Sequence, residues 1–174
     1  MKNKKWTLIT VVSITVLILC IFGYNIYQNS LIKDSYVTLT NHNNVYTDTN
    51  FDFSISFPEE WSYKIDDVIK PTAEREGSPD GGIMIYVNKE KSERIYVKGS
   101  LGQIGIKLDD FSTKKFKANS GLTGNLYRRI SKEKIEEYLI SSDEFHMVYI
   151  YMDINKYSKY ENQITEVLKS LEIR

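Results

Sequence analysis

Four places in this sequence set two carboxylates side by side: Glu59-Glu60, Asp66-Asp67, Asp109-Asp110 and Glu136-Glu137. Hydrolysis by paired acids needs two carboxyl groups facing each other across a cleft, roughly 5–10 Å apart. Neighbours on a strand project to opposite faces, so no doublet supplies that geometry by itself, and each reads as solvated surface charge. Asp80, in Ser78-Pro79-Asp80-Gly81-Gly82, is a lone acid in a turn-forming run. Calcium requires about six to eight oxygen ligands, so Asp80 reads as turn chemistry. Nucleophilic catalysis needs a base beside the nucleophile, and His42 and His146 are the two imidazoles of the chain. His146 falls among apolar neighbours and reads as a hydrogen-bonded structural histidine or an edge residue. Serines and lysines are plentiful, but no recognised Ser-Lys arrangement and no phosphate-binding glycine loop is present. No residue is nominated as catalytic, cofactor-binding or metal-binding, and no cofactor is expected.

Two basic clusters, Lys114-Lys115-x-Lys117 and Arg128-Arg129, have the chemistry to contact anionic wall polymers or lipid headgroups. With Asp109, Asp110 and Glu133 nearby they read first as a mixed, solvated surface. Tyr149, Tyr151, Tyr157 and Tyr160 would form an aromatic ligand patch if they converged; their spacing favours core or interface filling. Across the chain 23 Lys and Arg balance 23 Asp and Glu. From Ser35 onward 19 basic residues face 22 acidic ones, a net charge of −3. No nucleic-acid partner is expected of such a surface.

The elements that must position these groups are read from periodicity. Phe51 to Phe57 alternates four apolar with three polar residues, the pattern of a strand with one buried face, and Pro58 stops it. Trp61, Tyr63 and Ile65 begin a second strand. The stretch from Asp66 to Gly82, with Pro71, Pro79 and a glycine run, reads as a long mobile loop and a candidate contact surface. Strands are expected at 83–87, 94–98, 121–130 and 135–140, with a turn at 141–144. The glycines at 99, 102 and 105 argue against a helix there, and a short helix is expected over 109–116. Phe145 to Met152 is apolar on both faces apart from His146, which predicts a central strand covered on both sides. Tyr157, Tyr160, Ile164, Val167, Leu168 and Leu171 recur at helical spacing, and Ser158 with Glu161 offers a capping box.

Ahead of this domain lies a segment of a different kind. Residues 6–32 carry no charged side chain, and Leu8 to Phe22 is apolar almost without interruption. About 22 helical residues, at ~1.5 Å each, reach ~33 Å and match a hydrocarbon core of roughly 30 Å. Lys2, Lys4 and Lys5 precede the segment while Lys33 and Asp34 cancel after it, which places the N-terminus in the cytoplasm. The expected organisation is a cytoplasmic stub at 1–5, a transmembrane signal-anchor at 6–27, a juxtamembrane stalk at 28–44 and an extracytoplasmic domain at 45–174. A cleaved secretory signal is the alternative, opposed by the lack of a small-residue cleavage pair after Gly23. Leu17-Ile18-Leu19-Cys20 also has the leucine of a lipobox at −3, though Leu19 stands where a small residue is required. One cysteine and two histidines exclude zinc sites rich in those ligands and any internal disulfide.

The run Phe53-Ser54-Ile55-Ser56-Phe57-Pro58-Glu59-Glu60-Trp61 resembles the N-terminal signature of PsbP-like domains, a strand ending in proline followed by a short turn and tryptophan. Asn119-Ser120-Gly121-Leu122-Thr123-Gly124 is similar to that family's glycine-punctuated turn, and Ile164 to Leu171 to its closing helix. The family includes the photosystem PsbP protein, a Ran-binding nuclear-transport protein, and bacterial membrane-anchored or lipidated proteins, some called DcrB-related. The resemblance implies an α+β fold, an α/β/α sandwich around an antiparallel sheet, and no shared catalytic residues. The expectation is therefore a non-enzymatic membrane-anchored module that binds a protein or cell-envelope partner. An outward-facing hydrolase or lipoprotein-like envelope enzyme is the competing class.

Overall fold

The computed structural model describes residues 15–21, 35–69 and 79–174, in two units divided after residue 33. In the first unit residues 15–21 are helical (α1), with Val16, Leu17, Ile18, Leu19 and Ile21 exposed. Among the described residues no helix is long and apolar enough to cross a membrane. The stub at 1–5 and the rest of the expected 6–27 span lie outside the described residues.

The second unit begins with a hairpin of β1 (Tyr36–Thr40) and β2 (Asn43–Asp48), so the latter part of the expected 28–44 stalk belongs to a sheet. Polar side chains there disguised a turn: Asn41 and His42 both adopt positive φ, 50° and 63°, the backbone of a tight two-residue hairpin loop. β3 (Phe53–Pro58) follows a turn built by Asp48. Its buried carboxylate accepts from the amides of Asn50 at 2.9 Å and Phe51 at 3.1 Å, and from Tyr46 Oη at 2.6 Å. β11 (Glu172–Ile173) completes a four-stranded sheet in the order β1-β2-β3-β11.

The second sheet has seven antiparallel strands in the order β4-β5-β6-β10-β9-β8-β7. They are β4 (Ser62–Ile69), β5 (Asp80–Tyr86), β6 (Arg94–Ser100), β7 (Ser112–Lys117), β8 (Thr123–Ser131), β9 (Lys134–Ser141) and β10 (His146–Asp153). β10 is central, as its apolar run requires. The expected 66–82 loop is shorter than proposed, because β4 runs on to Ile69 past an irregularity after Asp66, and β5 starts at Asp80. Residues 70–78 lie outside the described residues.

The helix expected at 109–116 is instead a turn at Asp109-Asp110 followed by edge strand β7. Phe111 and Phe116 stand five residues apart, which makes no helical stripe, and the lysines between them suit a solvated edge. The glycine-bearing connection 101–110 runs without helix or strand from β6, third in the sheet, to β7 at its edge.

Helix α2 (Ile154–Lys169) lies against β3, β9 and β10 and buries Tyr157, Ile164, Val167 and Leu168. Its N-cap is Asp153, whose carboxylate accepts from the Asn155 amide at 2.9 Å; Ser158 of the expected capping box bonds to the Ile154 carbonyl inside the first turn. The core unites inward residues of both sheets with this helix: Phe53, Ile55 and Phe57 of β3, Ile83 and Ile85, Ile95 and Val97, Leu139, and Val148, Ile150 and Met152. Each such side chain contributes roughly 1.5–3 kcal/mol on burial.

The far face of the seven-stranded sheet is different. Tyr96, Tyr149, Tyr138 and Tyr127 stand in register across four adjacent strands and are half-buried. The expected α/β/α layering is thus replaced, among the described residues, by one helix and a small sheet on one face and tyrosine rows on the other.

Gly99 of β6 is required by a close approach: a Cβ there would sit 2.3 Å from Cβ of buried Phe51. A methyl at Gly105 would meet nothing within 4 Å. Gly99→Ala should therefore cost about 1–3 kcal/mol, and Gly105→Ala should stay within about 0.5 kcal/mol of the parent. Urea melts of both variants measure this, and equal losses would contradict the packing.

Candidate functional site

The alternation of β8 and β9 sends the two doublets Arg128-Arg129 and Glu136-Glu137 to both faces of the large sheet. Register places Arg128 opposite Glu137 and Arg129 opposite Glu136. Neither doublet is the solvated surface expected of it, because each face holds one cross-strand ion pair.

On the inner face Glu137 is fully buried. Arg128 Nε donates to its Oε1, Tyr157 Oη donates to its Oε2 at 2.8 Å, and Arg128 Nη2 donates to Tyr157 Oη at 2.8 Å. These three groups from β8, β9 and α2 close a triangle with every oxygen of the carboxylate engaged. Burial pushes the Tyr157 hydroxyl up, and the adjacent Glu137 charge pushes it further. For Arg128 burial works downward, but the Glu137 charge and hydrogen bond outweigh it and hold the guanidinium above its ordinary value. Such a triad costs desolvation and is stable only while complete.

On the outer face Arg129 Nη2 donates to Glu136 Oε2 at 2.6 Å, and Tyr138 Oη donates to Glu136 Oε1 at 2.9 Å. The Tyr138 and Tyr149 rings stack at 4.7 Å, and the Arg129 guanidinium lies 4.5 Å from the centre of the Phe111 ring. Burial pushes the Glu136 carboxyl up, yet the hydrogen bonds from Arg129 and Tyr138 and the Arg129 charge hold it below the usual carboxylate range. The connection ending at Phe111 is thereby pinned to this face.

Beside the inner triad opens a cavity of about 550 Å³ between edge strand β7, β8 and α2. Its charged lining is Lys114, Lys115, Lys117, Arg128 and Lys169 against one carboxylate, Glu161. Phe116, Leu126 and Leu168 supply apolar wall. A second cavity, of about 600 Å³ between the β2-β3 sheet and α2, is lined by His42, Glu60, Glu166 and neutral polar groups, with no lysine or arginine. A third, of about 520 Å³ near Trp61, mixes Lys89, Lys156 and Lys159 with Glu60 and Glu90.

The other expected groups are dispersed. His42 is exposed and faces Glu59 at 3.3 Å. His146 is buried, with Nε2 2.8 Å from the Phe51 carbonyl and Nδ1 3.1 Å from Asp143, the structural role expected of it. Asp80 is buried at the start of β5 and paired with Lys98. Cys20 is exposed on α1. Tyr157 and Tyr160 pack inward, Tyr160 edge-on to Trp61 at 6.1 Å, whereas Tyr149 and Tyr151 stand on the outer face. Among the described residues no three of His, Cys, Asp and Glu cluster to hold a metal ion.

Sequence reasoning missed the triad, although the signal was there. Counting outward from the two-residue turn Lys132-Glu133 pairs Arg129 with Glu136 and Arg128 with Glu137.

No protein-family model matches this chain, and no curated protein matches it. Among solved structures it is similar to the solution structure of cyanobacterial PsbP (CyanoP) from Synechocystis sp. PCC 6803, with a TM-score of 0.52 over 79% of this chain and 95% of that one, at 9% identity. The chain therefore has a PsbP-like fold built on antiparallel sheets. At that identity the likeness is one of backbone architecture.

Arg128→Met removes the charged donor from a fully buried carboxylate, leaving Tyr157 as its partner, and should cost about 3–5 kcal/mol, most of it recovered when Glu137→Leu is added. Denaturant melts of the single and double variants decide; additive losses would refute the coupling. Acid should also weaken the fold. Burial raises Asp143, but the Ser141 hydroxyl, the Phe145 amide and His146 hold it below its ordinary range, as Glu136 is held. A carboxylate lowered by folding contributes stability above its unfolded value, about 4, and loses it as pH falls through the lower folded value. Stability measured from pH 6 to pH 2 should decline on this limb, less steeply in the Glu136→Gln, Asp143→Asn variant.

Proposed function

We propose that this chain is a membrane-anchored, extracytoplasmic, non-enzymatic binding module of the DcrB-related kind, tethered by residues 6–27 and serving a protein or cell-envelope partner. The observation that carries this reading is the division of Glu136 and Glu137 between opposite faces of the sheet, each engaged by an arginine and by tyrosine hydroxyls. Carboxylates held this way are committed to structure rather than aimed together at a bond. Beside them the molecule presents a formed, cation-lined crevice, a feature suited to recognition. The uncharged segment at 6–32, with lysines on its N-terminal side, supports the anchor and its orientation.

Two measurements test the reading on the full chain in its own membrane. Protease added outside intact cells or protoplasts should digest the domain while a cytoplasmic control survives. Cross-linking followed by affinity capture should recover a discrete envelope partner. Resistance of the domain would overturn the orientation, and turnover of a wall or peptide substrate by the purified chain would replace the binding reading with the hydrolase.

A further inference from the structure

We propose that the cavity between β7, β8 and α2 binds a phosphate ester. The inference rests on the binding-module reading and names the chemistry of that module's ligand. The domain from Ser35 onward has 19 basic and 22 acidic residues, yet this one cavity gathers five cations and one carboxylate on its lining. The other two cavities described do not share this bias: one has no lysine or arginine on its lining, and the other offsets its lysines with Glu60 and Glu90. A concentration of one charge sign at a recess focuses the field there and attracts the opposite sign.

The cations differ in their freedom. Arg128 forms fixed wall, because Glu137 and Tyr157 hold its guanidinium and Glu137 already balances its charge. The uncommitted positive charge comes from lysines. Lys114 points toward α2, since it shares the inner face with Leu126 and Phe116. Lys169 reaches from the last turn of α2 and is tied only to exposed Glu166 at 3.4 Å, a contact of small worth. Lys115 and Lys117 flank the mouth from the open edge of β7. Glu161 opposes an anion near Arg128, which places the phosphate toward the Lys114 and Lys169 end. Phe116, Leu126 and Leu168 offer an apolar surface to the organic part of the ester. Ammonium groups on flexible stems suit a phosphate as point charges.

The test uses the full-length chain in neutral detergent micelles, with calorimetric titration of two probes. sn-Glycerol 3-phosphate represents a free or polymer-borne phosphate; phosphatidylglycerol doped into the micelles represents a lipid headgroup, and phosphatidylcholine, whose choline cancels the charge of its phosphate, is the zwitterionic reference. Saturable binding of either probe is expected, weakened about tenfold or more by Lys114→Glu with Lys169→Glu. The control pair Lys156→Glu with Lys159→Glu, at the third cavity, should leave affinity unchanged. All four lysines act at surface positions, and circular dichroism checks that each variant is folded. Binding of the lipid alone assigns the headgroup as the source; binding of both assigns the phosphate group itself. No saturable binding of either probe, or equal loss in both variant pairs, overturns the inference. Capture of a protein partner in the cross-linking experiment is unaffected by that failure, so the two readings fail separately.

Discussion

A carboxylate with no access to water has to find its donors inside the protein, and the donors of Glu137 come from two different elements. Arg128 reaches it across the β8-β9 ladder and Tyr157 reaches down from α2. The ladder bond fixes register, since a slip by one residue would exchange the inner and outer faces of every side chain on the strand. The tyrosine bond fixes where along the sheet the helix sits. With α2 so placed, Ile164, Val167 and Leu168 meet the inward rows of β3, β9 and β10, and the helix stands off from β7 far enough to leave the cation-lined recess. A polar interaction of doubtful net worth to stability thus sets the geometry within which the apolar core gains its own.

Much of this architecture was legible in the sequence, for a definite reason. Strands with one buried face announce themselves by alternation, as at Phe51 to Phe57 and Ile83 to Val87, while the continuous apolar run of Phe145 to Met152 marked the central strand; each formed near the expected place. The closing helix was equally clear from its apolar spacing. What escaped was whatever depends on partners distant in the chain. β1 and β2 lack an apolar pattern because little of β1 is buried, so Tyr36 to Thr40 read as stalk. β7 is an edge strand whose three lysines, inward and outward alike, are exposed, and alternation has nothing to report there. The cavity draws its walls from residues 112 to 169, and only the folded register brings them together.

The two faces of the large sheet follow one rule to different ends. Inward positions carry apolar side chains around buried Glu137 and its partner Arg128; outward positions on the same strands carry tyrosine, arginine, glutamate and lysine. Four tyrosines in register keep the outer surface half-buried with no covering helix among the described residues; the Tyr138 and Tyr149 rings stack, and the hydroxyls of those two donate to Glu136. A large phenolic side chain is well suited to this position, being apolar along its body and polar at its tip. The connection that ends at Phe111 adds to the cover, its ring lying under the Arg129 guanidinium and edge-on to Tyr138.

The pairing of β11 with β3 joins residues 172 and 173 to residues 54 and 53, and the Arg174 amide donates to the Asp52 carbonyl at 2.7 Å. Strand β3, which carries Phe53, Ile55 and Phe57 into the core, is therefore left with a bare edge until residue 173 is available to cover it. Contacts of such sequence separation form late, since the intervening chain must first be brought together at an entropic cost. The order of events is consequently set by chain position: the hairpins of both sheets can assemble as their residues appear, while the β3-β11 pairing waits. During that interval a nascent chain keeps one edge of a core strand available to whatever carries or guards it.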